Sequence, residues 1–139
     1  MKVLILCTGN SCRSQMAEAI LASFNPFLEV FSAGTNPAAS VNPHTITVMK
    51  EIGISLEGHY PKNADLFKDE PFDFVITVCD HARETCPIFT GTVGKQLHIG
   101  FPDPADAVGT EEEILPVYRQ VRDDIRARLR EFYATYYKS

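Results

Sequence analysis

The residues with the clearest chemical potential are a cysteine and an arginine near the amino terminus. Cys7 ends an apolar run, and Arg13 follows six positions later across a polar segment. A cysteine at the carboxyl end of a strand, facing a helix N-terminus, is favoured as a thiolate nucleophile. An arginine can hold a tetrahedral oxyanion through two parallel hydrogen bonds. The pair therefore predicts an oxyanion-binding loop with Cys7 as its nucleophile.

The polar segment between them suits an anion because a loop between a strand and a helix directs backbone N–H groups toward it. Gly9 is expected to supply a positive φ and a close backbone approach, and Asn10 can also adopt a left-handed conformation. We expect Ser14 to cap the following helix and to donate its hydroxyl to the Cys7 sulfur. A tight turn with a buried structural cysteine is the alternative. The predicted oxyanion-binding residues are Thr8, Gly9, Asn10, Ser11, Cys12, Arg13 and Ser14.

Further reactive residues follow later strands. Cys79 comes after an apolar run, Cys86 lies seven positions beyond it, and Asp103 precedes Pro104. Parallel strands end at one edge of a sheet, so Cys79 and Asp103 are expected near Cys7. Two thiols could supply electrons by thiolate exchange, and a carboxylic acid could protonate a departing oxygen. On spacing alone, the cysteines could equally be buried packing residues, and Asp103 a turn former.

Zinc binding is a rival use of the cysteines. Cys79, His81 and Cys86 could be ligands, with Cys7 or Cys12 as a fourth. Structural zinc sites usually place paired ligands two to four residues apart, whereas six residues separate Cys79 from Cys86. We therefore expect no metal site.

Length and composition predict one globular domain over residues 1–139. A chain of this size can bury a core without disulfide bonds. The formal net charge is −5 and no basic stretch stands out, which argues against nucleic-acid binding. The longest apolar run near the amino terminus has four residues, too few for a signal peptide or a membrane helix. We expect a cytoplasmic monomer with its cysteines reduced at rest and no association with a membrane.

Hydrophobic periodicity predicts the elements that would position these residues. Strands are predicted at residues 2–7, 28–32, 73–78 and 96–99. Helices are predicted at residues 14–24, 42–52 and 111–137, with a helical turn at residues 65–67. This alternation predicts an α/β fold, a single three-layer domain in which helices cover both faces of a four-stranded parallel sheet.

These motifs together resemble the thioredoxin-coupled arsenate reductases, which share the fold of low-molecular-weight protein tyrosine phosphatases. The loop Cys-Thr-Gly-Asn-Ser-Cys-Arg-Ser, followed by Gln-Met-Ala-Glu, looks like their active-site loop. The likeness continues through residues 31–34, 42–43, 78–79, 86–87, 100–104, 109–113 and 119–123. It therefore covers essentially the whole chain.

The resemblance implies reduction of arsenate to arsenite, as in arsenic detoxification. Cys7 would attack arsenate held by Arg13, and Asp103 would protonate the departing oxygen. Cys79 would then attack Cys7 and release arsenite, and Cys86 would move the disulfide to Cys79–Cys86. Thioredoxin would reduce that disulfide, and no bound cofactor would be needed. Residues 80–85 would refold to carry Cys86 inward.

Two other functions stay open. A low-molecular-weight protein tyrosine phosphatase would use the same loop through a phosphocysteine. Against it, Asp103 and Pro104 are followed by Ala105, Asp106 and Ala107, where those phosphatases typically have an aromatic pair. A non-enzymatic redox sensor could instead signal through the later cysteine pair, and it would turn over no oxyanion.

One departure from the family concerns a monovalent cation. Some relatives bind potassium near the loop through an Asn, a Glu, a Ser and an Asp. Asn10, Glu18 and Ser32 match the first three, whereas Lys62 and Asn63 stand around the position of the acid. This difference argues against bound potassium, and the Lys62 ammonium could stand in for it.

Overall fold

The computed structural model describes residues 1–79 and 91–137. Within these residues, four strands form one parallel sheet in the order β2-β1-β3-β4. The strands are β1 (Lys2–Cys7), β2 (Glu29–Gly34), β3 (Phe72–Thr77) and β4 (Val93–His98). The helices are α1 (Arg13–Phe24), α2 (Pro43–Glu51) and α3 (Glu111–Tyr136). Short 3-10 turns lie at Ala64–Phe67 and Pro104–Asp106. The predicted α/β fold is confirmed.

The central strand β1 decides where the site lies. It pairs with β2 on one side and with β3 on the other, and its residues from Val3 to Leu6 are fully buried. A parallel strand covered on both faces needs this unbroken apolar sequence. The strand ends at Cys7, which is paired with Gly34 of β2. Cys7 therefore lies in the middle of the carboxyl edge of the sheet, where ligands bind in open α/β folds.

The helices pack against the sheet and against one another. Helix α1 packs against β1, β2 and α3, while α2 packs against α3. Helix α3 also meets the sheet through Phe132, whose ring lies edge-on to Phe74 at 5.0 Å between centroids. None of the helices in the described ranges is long and apolar enough to cross a membrane.

Element boundaries differ from prediction where local signals are weak. The strand predicted at residues 96–99 begins at Val93, because pairing with β3 compensates for the poor strand propensity of Gly94 and Lys95. The cap predicted at Ser14 is wrong. Cys12 occupies the N-cap of α1 and its carbonyl accepts the first helical hydrogen bond, from Met16 N at 3.0 Å. The predicted start of α2 is confirmed, since the Asn42 side chain accepts a hydrogen bond from His44 N at 2.9 Å.

Gly34 generates a prediction because the loop after β1 passes directly over it. A Cβ atom at this position would lie 2.4 Å from the carbonyl oxygen of Thr8 and 3.1 Å from the amide nitrogen of Asn10. We expect Gly34→Ala to lower the free energy of unfolding by about 1–3 kcal/mol, because the backbone must move to accept the methyl group. Urea denaturation of purified protein measures this change.

The matched control is Gly9→Ala in the same loop. Its added Cβ would meet nothing closer than Ser11 Oγ at 3.4 Å, so the free energy of unfolding should change far less. Equal losses of stability in the two variants would contradict the close packing of Gly34 against the loop.

Candidate active site

Asn10 fastens the loop between β1 and α1. It is fully buried and has a φ of 52°. Its Nδ2 donates to Ser14 Oγ at 2.7 Å and to Ser32 Oγ at 3.0 Å, and its Oδ1 accepts the backbone N–H of Lys62 at 2.9 Å. These bonds stabilise a left-handed conformation that a non-glycine residue adopts at a cost. The left-handed conformation predicted for Asn10 is confirmed.

Two expectations for neighbouring loop residues are wrong. Among the described glycines, positive φ angles occur at Gly53, Gly58 and Gly109 and not at Gly9, because Asn10 makes the turn instead. The predicted bond from Ser14 to the Cys7 sulfur is absent from the described hydrogen bonds. The buried Ser14 hydroxyl instead accepts the Asn10 amide. Ser14 therefore stabilises the loop through its hydrogen bond with Asn10.

Cys7 and Cys79 form a thiol pair at the carboxyl ends of neighbouring strands. Both are buried, and Thr8 Oγ1 lies 3.3 Å from Cys79 Sγ. The pKa of Cys7 is raised, first because its thiol shares a hydrogen bond with the Cys79 thiol and next because it is buried. Arg13 and the Thr8 backbone N–H act in the opposite direction but do not prevail. This raised pKa runs against the thiolate that the nearby helix N-terminus was expected to favour.

Arg13 and Asp103 face each other across the cleft. Arg13 Nη2 lies 3.4 Å from Asp103 Oδ2, and Arg13 Nη1 donates to the Phe101 carbonyl at 3.1 Å. Arg13 Nε is buried without a hydrogen-bond partner among the described atoms. Asp103 is fixed by its own backbone, since its Oδ1 caps the Pro104–Asp106 turn through Ala105 N at 3.0 Å. The structure thus brings the predicted acid to the predicted anion-binding arginine.

The cleft in front of these groups has a volume of about 930 Å³. Thr8, Arg13, Cys79 and Asp103 line it, as expected from the sequence. Asn36 also lines the cleft, although it was not predicted from the sequence, and its backbone N–H donates to the Thr8 carbonyl at 2.9 Å. The available sequence signal for Asn36 was its position just beyond the end of β2. The other lining residues are Gly100, Phe101, Pro102 and Asp106.

Cys12 is buried at the start of α1, and burial is the main cause of its raised pKa. It is not among the residues that line the cleft. Cys86 and His81 lie outside the described residues, as does the predicted refolding of residues 80–85. Over residues 1–79 and 91–137, no group of three or more His, Cys, Asp or Glu side chains is arranged to hold a metal ion.

Comparisons with known proteins agree with this arrangement. The family model for low molecular weight phosphotyrosine protein phosphatases matches residues 2–139. The arsenate reductase of Halalkalibacterium halodurans is 42% identical over 134 residues, which cover 96% of this chain and 95% of the relative.

Solved structures show the same fold. An arsenate reductase in a phosphate-binding state has a TM-score of 0.80 and 28% identity, and the match covers 96% of this chain and 97% of that chain. A thioredoxin-dependent arsenate reductase of Corynebacterium glutamicum has a TM-score of 0.70 and 25% identity, covering 96% of this chain and 60% of that chain.

The thiol pair yields a prediction about Cys7. Because Cys79 raises the pKa of Cys7 both through its hydrogen bond and through its charge, Cys79→Ala should lower that pKa. The pH at which iodoacetamide alkylates Cys7 half-maximally should therefore move down, as followed by mass spectrometry of the Cys7 peptide.

Cys12→Ser is the matched control, since Cys12 is not among the groups that act on the Cys7 pKa. Its alkylation profile at Cys7 should stay close to that of the wild type. An unchanged profile in Cys79→Ala would mean that the two thiols do not interact.

Proposed function

The chain belongs to the low molecular weight phosphotyrosine protein phosphatase family, and we propose that within this family it is an arsenate reductase. The observation that carries the proposal is a second buried thiol, Cys79, which follows β3 at the same sheet edge where Cys7 ends the neighbouring strand β1. A phosphatase of this family needs one cysteine to form its phosphocysteine. Two adjacent thiols provide two electrons, which reduction of As(V) to As(III) requires.

Arsenate would bind in the loop that runs from Thr8 to Ser14. Backbone N–H groups at the start of α1 suit a tetrahedral oxyanion, and the Arg13 guanidinium supplies a planar pair of donors. To engage the anion fully, Arg13 would exchange its bonds to Asp103 and Phe101 for bonds to arsenate oxygens. Its Nε–H, which has no partner among the residues that the structure describes, is already available. The phosphate-binding state named for a structural relative supports this use of the loop.

In the first chemical step, Cys7 sulfur attacks arsenic and an S–As bond replaces one As–O bond. The departing oxygen takes up the thiol proton and leaves as water. Asp103 would deliver the proton to that oxygen, since its carboxyl group lies 3.4 Å from the arginine that holds the anion. Loss of the hydrogen bond to Cys79, together with the charge of Arg13, would favour the Cys7 thiolate needed for this attack.

In the second step, the Cys79 thiolate attacks Cys7. A Cys7–Cys79 disulfide forms, the S–As bond breaks, and its electron pair stays on arsenic, which leaves as arsenite. Thr8 Oγ1, 3.3 Å from Cys79 Sγ, can donate a hydrogen bond to that thiolate. The two sulfurs are oxidised and arsenic is reduced, so the electrons balance.

The third step restores Cys7. Cys86 would attack Cys79 and shift the disulfide to Cys79–Cys86, which thioredoxin would reduce. The role of Cys86 rests on the sequence resemblance, because this residue is outside the described ranges. The thioredoxin-dependent arsenate reductase among the structural relatives supports the choice of reductant.

Phosphatase activity is the second candidate, favoured by the description of the family itself. The same loop, arginine and acid could form and hydrolyse a phosphocysteine. The products separate the two functions, because a phosphatase releases phosphate from an ester and consumes no thiols. A protein that turns over neither substrate would instead fit the redox sensor.

The relay predicts different trapped states in two cysteine variants. With Cys86→Ser, one turnover should still release arsenite, and a Cys7–Cys79 disulfide should accumulate because nothing resolves it. With Cys79→Ser, arsenite release should fail, since the sulfur that accepts the disulfide is missing. Quantification of arsenite and mass-spectrometric mapping of disulfides measure both results. Multiple turnover without Cys79 would contradict the relay and favour the phosphatase.

Arg13 can be tested by a change that keeps its charge. Arg13→Lys should lower kcat/KM for arsenate by about a hundredfold, because an ammonium cannot reproduce the paired donors of the guanidinium. Steady-state kinetics measure the loss. The control is Arg126→Lys on the exposed side of α3, which should leave kcat/KM near the wild-type value. Near-normal kinetics in Arg13→Lys would place the oxyanion elsewhere.

A further inference from the structure

Glu18 is a largely buried carboxylate beside the loop. Its side chain is 15% exposed. Glu18 Oε1 accepts the Ser32 hydroxyl at 2.7 Å and lies 4.0 Å from Lys62 Nζ. Glu18 Oε2 lies 3.3 Å from His59 Nδ1. A buried carboxylate needs such compensation, because removing a charge from water is costly. The Lys62 ammonium supplies the positive charge beside Glu18.

Lys62 also reaches the loop through its backbone. Its N–H donates to Asn10 Oδ1 at 2.9 Å, while the other end of the Asn10 amide donates to Ser32 Oγ at 3.0 Å. Ser32 in turn donates to Glu18. These three hydrogen bonds and the ion pair between Glu18 and Lys62 form a closed circuit, in which each of four residues contacts the next: Lys62, Asn10, Ser32 and Glu18. Because Asn10 is the left-handed residue of the oxyanion loop, a disturbance anywhere in this circuit reaches the backbone around the anion.

The residues present do not fit the potassium ion that some relatives bind here. A hard cation needs several oxygen ligands with free lone pairs. Asn10 Oδ1 already accepts bonds from Lys62 N and from Gln15 Nε2, the latter at 3.2 Å. The Ser32 hydroxyl is engaged as both donor and acceptor. The ammonium of Lys62, 16% exposed and bonded to the Tyr60 carbonyl at 3.0 Å, would repel a second cation beside Glu18.

We propose that the Lys62 ammonium is a built-in cation that replaces the monovalent metal ion of other family members and holds the oxyanion loop in its binding shape. Lys62 is thus a positioning residue that acts through Glu18, Ser32 and Asn10. The inference concerns the loop of the proposed function and rests on it only for the identity of the substrate. Anion binding and folding stability test it without any redox chemistry.

The first experiment compares potassium chloride with tetramethylammonium chloride at equal ionic strength. A cation that binds the folded state raises the melting temperature as its concentration rises. For the wild type, we expect the same melting temperature and the same Kd for inorganic phosphate in both salts. A higher melting temperature or tighter phosphate binding in potassium chloride would overturn the proposal.

The second experiment removes or moves the charge. Lys62→Met should weaken phosphate binding by about tenfold. Lys62→Arg keeps the positive charge and should bind phosphate like the wild type. Lys50→Met, at an exposed lysine of α2, is the matched control and should bind phosphate like the wild type. Phosphate binding by Lys62→Met equal to that of the wild type would overturn the proposal. The salt comparison on the wild type decides the matter even where Lys62→Met fails to fold.

A third variant tests the position of the charge. Lys62→Asp places a carboxylate beside Glu18, so its melting temperature should become dependent on potassium. Equal melting temperatures of this variant in both salts would contradict the placement of the ammonium at the cation position. If arsenate is not reduced but phosphate binding follows these expectations, the proposed function fails and the role of Lys62 stands. The reverse result overturns the role of Lys62 alone.

Discussion

The buried amide of Asn10 holds the oxyanion loop in shape. A left-handed asparagine costs about 1–2 kcal/mol relative to the right-handed form. The hydrogen bonds that Asn10 donates to Ser14 and Ser32, and the one it accepts from the Lys62 N–H, compensate for that cost. Each partner comes from a different part of the chain: the start of α1, the strand β2 and the segment before the Ala64–Phe67 turn. The loop is therefore shaped by tertiary contacts, and the anion site depends on packing around the first two strands.

A second constraint is the proximity of two thiols on neighbouring strands. The parallel pairing of β1 with β3 brings their carboxyl ends together, so Cys7 and Cys79 lie near each other. The Cys79 thiol and burial raise the pKa of Cys7, while the positive charge of Arg13 lowers it. With Arg13 paired to Asp103, the proposed anion-binding group and the proposed acid restrain each other beside the proposed nucleophile, Cys7. Substrate would redistribute these contacts, since an oxyanion competes with Asp103 for the guanidinium.

The sequence predicted the sheet and its edge well, because buried parallel strands leave a strong apolar signal. It also predicted that Cys7, Arg13, Cys79 and Asp103 would converge, since each follows a strand or starts a helix at the same edge. It failed at Gly9 and Ser14, where composition suggests a conformation or a bond but tertiary contacts decide. It did not predict that Asn36 lines the cleft, because a residue type in a loop does not reveal which backbone carbonyl its N–H will bind. The sequence already placed Lys62 near the position where some relatives have an acidic potassium ligand. The hydrogen-bond circuit around Lys62 could be recognised only from the structure.

In the proposed reaction, the thiols of this protein supply the two electrons that convert As(V) to As(III). The most direct measurement is a single turnover of fully reduced protein with arsenate and no added reductant, in which arsenite and remaining thiols are counted together. We expect one arsenite to be released for every two thiols lost, because one disulfide forms for each As(V) reduced. Hydrolysis of an aryl phosphate by the same preparation, with no arsenite formed and no thiols lost on exposure to arsenate, would contradict it.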